Sequence, residues 1–391
     1  MNNIKRIAAF VMAAVMLTAF AGCGDQSWSY RTGDTSLSAG TYIMNLLNAY
    51  YEAYDKVESP DEVKKILDEE IEDSDGEKKT VEQYAIDGAD AATMKMLAVE
   101  TLFKQYGLEL DQEEYDYNNM YMGSAWSYNK DMFEGYGISE ESFRYTMIEY
   151  NVKYGQVFKK LYGKDGEKAV SDEEMTKYFS DKYTGYAYFN VSAATTDEAT
   201  GESVALSDQE YKKTEDFLKK YVDMVNKNGK SYEETVKTYM KDFNYPNDPT
   251  LSGSVELEKA TLNETVLETL KTLDEGKAAY VAYGSEGTSS FYFVYRPKTE
   301  SIIDFLESDE AEDAEGIIPI DTFDDASTAS DTAYVAPLKS GYSHASLLND
   351  MKKDDFEDYL KDFANTLNVE KNSAILNSFK PKMFVLKNSD A

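Results

Sequence analysis

The acidic run around residue 73 is the first place in this 391-residue chain where residue types and spacing could do chemistry. Asp73, Asp75, Gly76 and Glu82 stand at the third, fifth, sixth and twelfth places of a calcium-binding EF-hand loop, which needs oxygen ligands and a turn-forming glycine there. Ile71 occupies the first place, where a carboxylate belongs, so a solvated acidic linker is the better reading. The chain holds one histidine, His344, and one cysteine, Cys23, far apart, so no zinc set can be assembled. A Ser-His-Asp triad could draw only on His344, which borders an acidic stretch and is expected in a flexible segment. Carboxylate pairs for glycoside hydrolysis cannot be selected among 73 acidic residues, where chance pairing is certain. Neither a Gly-x-x-x-x-Gly-Lys phosphate loop nor a Gly-x-Ser-x-Gly elbow is present. No metal and no cofactor is expected.

What remains is a chemistry of soft contacts. Tyr115, Tyr117, Met120, Tyr121, Met122, Trp126 and Tyr128 are dense enough to cover more than one face of a helix. Core packing between helices is the plainer reading. The sharper one makes Tyr115, Met120, Met122 and Trp126 part of a wall that binds unfolded polypeptide, because flexible Met and amphipathic Tyr repack around varied apolar segments. Composition bears on both, since 32 tyrosines stand against 18 phenylalanines and 2 tryptophans, and a phenol tolerates partial wetting.

The first residues address location. Lys5 and Arg6 make a cationic head, Ile7 to Ala21 is almost unbrokenly apolar, and Phe20-Ala21-Gly22-Cys23 puts two small residues before the cysteine. This pattern reads as a lipoprotein export signal over residues 1–22, with Cys23 as the lipid attachment point and Phe20 where leucine is usual. The apolar run is shorter than the roughly 20 residues a membrane-spanning helix needs, and a lone cysteine forms no internal disulfide. The expected location is the extracytoplasmic face of the cell membrane, held by lipid. A formal net charge of −33 excludes nucleic acid as a partner and repels anionic lipid, so the lipid would act as a tether for a solvated body. That acidity reads first as a solubility device, with attraction of basic clients or divalent cations as the alternative.

Several elements must position these residues. Trp28 and Tyr30 alternate like a brief strand, and Tyr42, Leu46, Leu47, Tyr50 and Tyr54 follow at helical spacing. A helix is predicted from Val81 to Tyr106, facing inward through Tyr84, Ala85, Ala92, Met96, Val99, Leu102 and Phe103, with Gly107 as its stop. Asp111 and Ser139 open two more, and the Ser171 and Glu174 capping box opens another to about Lys182. After Gly185 the period becomes two, with a strand over 186–192. Helices near 207–228 and 231–242, a turn-rich loop over 244–254, a short helix over 263–273 and a hairpin of 279–283 with 289–296 follow. Between Glu300 and Leu338 there are twelve acidic residues and no Lys or Arg, which reads as a mobile insertion unable to bury enough apolar surface to order. A final helical pattern runs from Ser346 to Leu367.

Three short motifs carry a family likeness. Phe133-Glu-Gly-Tyr-Gly-Ile-Ser-Glu-Glu-Ser-Phe143 sets a glycine and then Ser-Glu-Glu ahead of a helix. Val170-Ser-Asp-Glu-Glu-Met175 leads toward the strand-rich part, and Leu273-Asp-Glu-Gly276 precedes a strand and hairpin. With the element order, these resemble the extracytoplasmic foldases of the SurA/PrsA type, in which a helical chaperone domain is interrupted by a parvulin-type peptidyl-prolyl isomerase domain and completed by a late helix. Parvulins carry one histidine on the first strand and one on the last, facing each other below the proline pocket. The corresponding positions here fall near Tyr188 and Tyr292, which the resemblance leaves as residual pocket candidates with no catalytic residue assigned. Prolyl isomerisation breaks no covalent bond, and its barrier of about 18–20 kcal/mol falls when the amide is desolvated and its twisted form stabilised.

The resemblance implies an α+β chain: a helical chaperone domain, split and completed by a C-terminal helix, around an inserted parvulin-like small-sheet domain. The expected boundaries are 1–22 for the signal, 23–182 for the first helical part, 183–300 for the parvulin-like domain, 301–344 for the acidic insertion and 345–391 for the closing helix. The expected function is that of a membrane-anchored chaperone for unfolded or nascent exported polypeptides, without efficient isomerase chemistry. An active isomerase is the first alternative. A solute-binding lipoprotein is the second, disfavoured by the lack of alternating βαβ patterning.

Overall fold

A computed structural model describes residues 27–60, 65–73, 76–197, 199–201, 203–243, 245, 248–283, 290–303, 318–320, 333–335 and 338–385. The export signal, Cys23, Asp75 and most of the acidic insertion lie outside the described residues. The architecture is α+β, and the chain divides into two compact units. One comprises the residues up to Ala169 together with those from Lys353 on, and the other is Val170–Lys352. The first dividing point thus falls at Val170 rather than at 183.

In the first unit, β1 (Trp28–Thr32) and β2 (Thr35–Ser38) form an antiparallel hairpin that turns at Gly33, whose φ of 55° favours glycine. The Ser38 hydroxyl accepts from the Thr41 amide and starts α1 (Ala39–Asp55). β3 (Glu70–Glu72) and β4 (Lys78–Thr80) make a second hairpin, and Thr80 caps α2 (Val81–Gln105). α1 and α2 pack closely: a Cβ on Gly88 would lie 3.0 Å from that of Ala49. The buried stripe of α2 runs through Ala85, Ala89, Thr93 and Met96, while Tyr84 and Ala92 are only half-buried, so the predicted face is rotated. Asp111 caps α3 (Gln112–Gly135). Ser139 caps α4 (Glu140–Arg144), which passes through a π-helical turn, Tyr145–Glu149, into α5 (Tyr150–Tyr162).

The second unit begins with α6 (Asp172–Lys182), opened by the Ser171 and Glu174 capping box as predicted. β5 (Thr184–Ser192) leads through a small hairpin, β6 (Ala194–Thr196) and β7 (Ser203–Ala205), to α7 (Asp208–Asn226) and α8 (Tyr232–Asp242). β8 (Leu251–Val255), α9 (Glu264–Thr272), β9 (Lys277–Tyr283) and β10 (Ser290–Arg296) complete an antiparallel sheet of order β8-β5-β10-β9. β8 lies where a loop is predicted. Its Leu-Ser-Gly-Ser-Val has little strand preference of its own, and pairing with Thr184–Tyr188 along the edge of β5 draws it straight. One sheet face, through Ala187, Phe189, Val191, Phe291 and Phe293, buries itself against Leu218, Tyr221, Val236, Tyr239 and Met240 of α7 and α8.

Two features seal this unit. The Asn226 side chain donates to the Ala278 carbonyl at 2.8 Å and accepts from the Ala278 amide at 2.9 Å, standing in for a further strand on the outer edge of β9. Asp350 accepts from Tyr178, Lys182 and Tyr183 at 2.7, 2.8 and 2.5 Å. The acidic insertion is partly structured: β11 (Ile318–Ile320) pairs with β12 (Ala333–Val335), and Ile302 and Val335 are buried. These few apolar residues bury themselves against the sheet unit despite the acidic composition around them.

α10 (His344–Thr366) starts at His344, so the histidine begins a helix rather than sitting in a flexible segment. From Lys353 it belongs to the first unit, where Phe356 packs on Tyr154, Phe158 and Tyr162. β13 (Glu370–Lys371) then pairs with β1, and α11 (Ser373–Ser378) follows. The last described segment thus closes on the first hairpin.

Burial opposes ionisation of Asp350, but its hydrogen bonds from Lys182, Tyr183 and Tyr178 outweigh that and hold the carboxyl below the ordinary range. A depressed carboxyl stabilises above its unfolded pKa of about 4 and loses that contribution as pH falls through the folded value. Asp350→Asn should therefore cost about 1–2 kcal/mol at neutral pH, part exposure included, with the difference from the parent shrinking progressively as pH falls below about 4 in urea titrations. Asn226→Ala should cost about 1–2 kcal/mol and, by freeing the β9 edge, raise concentration-dependent light scattering.

Candidate functional site

Strand alternation builds the site. Along β5, Tyr186 and Tyr188 point away from the face that carries Ala187, Phe189 and Val191. On β10, Tyr292 and Val294 share that second face. The register sets Tyr188 opposite Val294 and Tyr292 opposite Asn190, so the two tyrosines are diagonal neighbours. Their ring centroids are 5.8 Å apart at 73°. Tyr186 lies 6.1 Å from Tyr188, and Tyr283 of β9 lies 5.7 Å from Tyr292, which makes a row of four phenols across three strands.

The margins of this row follow from the same register. Leu251 on β8 stands opposite Tyr188 and is exposed, as is Tyr283 at the other end. Gly253 stands opposite Tyr186, and a Cβ there would sit 3.1 Å from the Tyr186 hydroxyl, so glycine lets the ring lie over the edge strand. Val266 and Leu270 of α9 seat on Val294, with Tyr186, Tyr188 and Tyr292 half-buried around them.

Burial pushes the phenols of Tyr186 and Tyr188 above their usual value, and for Tyr188 the neighbouring Tyr186 and Tyr292 add to it. Both stay protonated through the physiological range. Such a face is an aromatic floor with hydroxyl donors that can stack on and desolvate a peptide segment. Among the described residues no group of three or more His, Cys, Asp or Glu side chains is placed to hold a metal, and no helix is long and apolar enough to cross a membrane.

The structure brings Tyr188 and Tyr292 together. It separates the other candidates by exposure: Met120 is exposed, Tyr115 and Met122 are half-buried, and Trp126 is 5% exposed. Trp126 stacks on Phe133 at 5.7 Å and packs on Phe143 at 5.5 Å, so it is a core residue and not part of a client-facing wall. Two turns of α3 set Trp126 and Phe133 on its inward side, which the density of aromatic residues hides in the sequence. Tyr186, Tyr283 and Leu251 complete the sheet face without having been singled out. The parity of Tyr186 with Tyr188 was the available signal.

The EF-hand-like run is a hairpin rather than a linker. Asp73 accepts from the Glu77 amide at 2.8 Å and pairs with Lys79 at 3.0 Å, Ile71 is buried, and Glu82 lies in the first turn of α2. The Asp73 carboxylate is thus engaged within the chain.

No protein-family model and no curated protein matches the chain. Among solved structures it is similar to the crystal structure of foldase protein PrsA from Streptococcus pneumoniae, with 14% identity over 79% of this chain and 90% of that one and a TM-score of 0.26. At that TM-score the likeness fixes neither fold nor function.

Proposed function

We propose that this chain is an extracytoplasmic chaperone of the foldase type, lipid-anchored at Cys23, which holds unfolded or nascent exported polypeptides without efficient isomerase chemistry. The observation that carries this reading is the row of Tyr186, Tyr188, Tyr292 and Tyr283, flanked by exposed Leu251, on one face of a four-stranded sheet. A neutral aromatic floor with exposed ends suits weak contact with many apolar segments better than fixed recognition of one ligand. The helical part and its late closing helix fit the chaperone-around-insert arrangement that the sequence motifs resemble. Against a solute binder, every strand pair among the described residues is antiparallel, whereas βαβ units require parallel strands.

One observation favours an isomerase as the second reading: Tyr188 and Tyr292 do meet, at the positions where the resembled family carries its histidines. Phenols can still donate to a twisted amide.

The protein from Cys23 onward should suppress aggregation of reduced, denatured lysozyme at stoichiometric amounts. Tyr188→Ser with Tyr292→Ser should need about tenfold more protein for the same effect, while the Phe pair retains it. Absence of any suppression by the parent rejects the chaperone reading. Proline-limited refolding should proceed at its spontaneous rate, and acceleration that vanishes in the Phe pair would shift the assignment to the enzyme. Cys23→Ala should move the protein from the membrane fraction to the soluble fraction of fractionated cells; retention in the membrane would remove the anchor.

A further inference from the structure

The outer side of α3 carries an apolar stripe that nothing in its unit covers. Tyr117, Met120, Tyr121 and Tyr128 are 59, 67, 60 and 88% exposed, and Tyr117 and Tyr121 meet edge-on at 4.9 Å. At 3.6 residues per turn, positions 117, 121, 124 and 128 share one face, with Met120 beside them, over about 16 Å of helix. Folded proteins seldom leave so many large side chains together in water unless something docks there.

Charge selects the occupant. Glu113 precedes the stripe on the same face and Asp131 follows it, about 27 Å apart. Lys130 is the sole cation of α3 and lies 3.7 Å from Glu134. A second copy docked parallel would set Glu113 on Glu113, and docked antiparallel would set Glu113 on Asp131. Both arrangements repel, and so does the net charge of −33. An anionic bilayer meets the same obstacle. A peptide with lysine or arginine at either end of an apolar run meets none, and about eight extended residues span the distance.

We infer that the outer face of α3 docks extended polypeptide segments in which aromatic or aliphatic residues are flanked by Lys or Arg. This rests on the polypeptide-holding reading and adds a client preference on a surface separate from the tyrosine row of the sheet. Flexible Met and the phenol edges supply sequence-tolerant apolar contact, and the terminal carboxylates supply selection.

The test uses the full chain from Cys23 and a fluorescein-labelled peptide with two lysines at each end of a Phe- and Leu-containing run, alongside a twin with glutamates in place of the lysines. Anisotropy should report binding of the lysine peptide, weakened about threefold by physiological salt, and little binding of its twin. Tyr117→Ser with Tyr121→Ser and Tyr128→Ser, all exposed and therefore harmless to folding by circular dichroism, should weaken it about tenfold. Glu113→Gln with Asp131→Asn should abolish the preference between the peptides while leaving the melting temperature unchanged. Equal affinity for both peptides, an unaltered affinity in the Tyr-to-Ser variant, self-association that this variant removes, or flotation of the parent with phosphatidylglycerol vesicles that it removes would each overturn the inference. If the parent suppresses lysozyme aggregation but fails here, the inference falls and the chaperone reading stands; peptide binding as described with no suppression has the opposite consequence.

Discussion

Phe189 lies directly opposite Phe293 in the sheet, their rings stacked at 4.9 Å, and the placement of every functional side chain in that unit follows from this pair. Side chains alternate with a strict period of two, so fixing these two phenylalanines inward fixes Tyr186, Tyr188 and Tyr292 outward. A one-residue slip would put phenols into the helix-covered core and phenylalanines under α9. Burying a hydroxyl without a partner costs about 1–3 kcal/mol, and three of them would shift together, so the core pair holds the tyrosine row in place. Asn226 and Asp350 serve the same end by different means, one closing the outer edge of β9 and the other tying α6 and the start of β5 to α10.

Tyrosines also enter the charge balance. With 73 acidic residues against 40 basic ones, acids outnumber cations by 33. Phenols join lysines on several of these acids: Tyr30 with Lys371 on Asp90, Tyr84 with Lys56 on Glu52, Tyr145 with Lys153 on Glu100, Tyr154 with Lys95 on Glu357 and Tyr221 with Lys220 on Asp242. Burial first, and the adjoining carboxylate with it, pushes the pKa of Tyr30, Tyr145, Tyr154 and Tyr221 upward, so these donors keep their protons wherever the carboxylates are charged. Tyr117 and Tyr121 of α3 and the tyrosines of the sheet row stand apart from this set, engaging other rings.

Local signals were legible in the sequence and non-local ones were not. The capping box of Ser171 and Glu174 specifies a helix start within four residues, and α6 begins there. The Tyr186 to Ser192 alternation is likewise self-contained. β8 was missed because its strand character comes from the edge of β5 and not from Leu251-Ser-Gly-Ser-Val255. The two residues of β13 carry no pattern at all and exist through their pairing with Tyr30 and Arg31, some 340 positions earlier in the chain. At the site, the Tyr188 and Tyr292 pair was reached through strand alternation and family likeness. Trp126 was misplaced because a helix crowded with aromatic residues gives no clear inward face until Phe133 and Phe143 are seen beside it.

A sheet face lined by phenols rather than imidazoles differs in what it can respond to. A histidine pair would titrate near neutrality and alter its charge with the medium, as an imidazole does between about pH 5 and 8. Tyr186 and Tyr188, held above the usual phenol value by burial, do not change charge there. On the proposed reading of a holding surface beyond the membrane, where acidity is set by the surroundings, constant charge keeps one affinity. Exchange of clients, on that same reading, comes from weak individual contacts and from the repulsion between acidic bodies, neither of which requires a titrating group in the site.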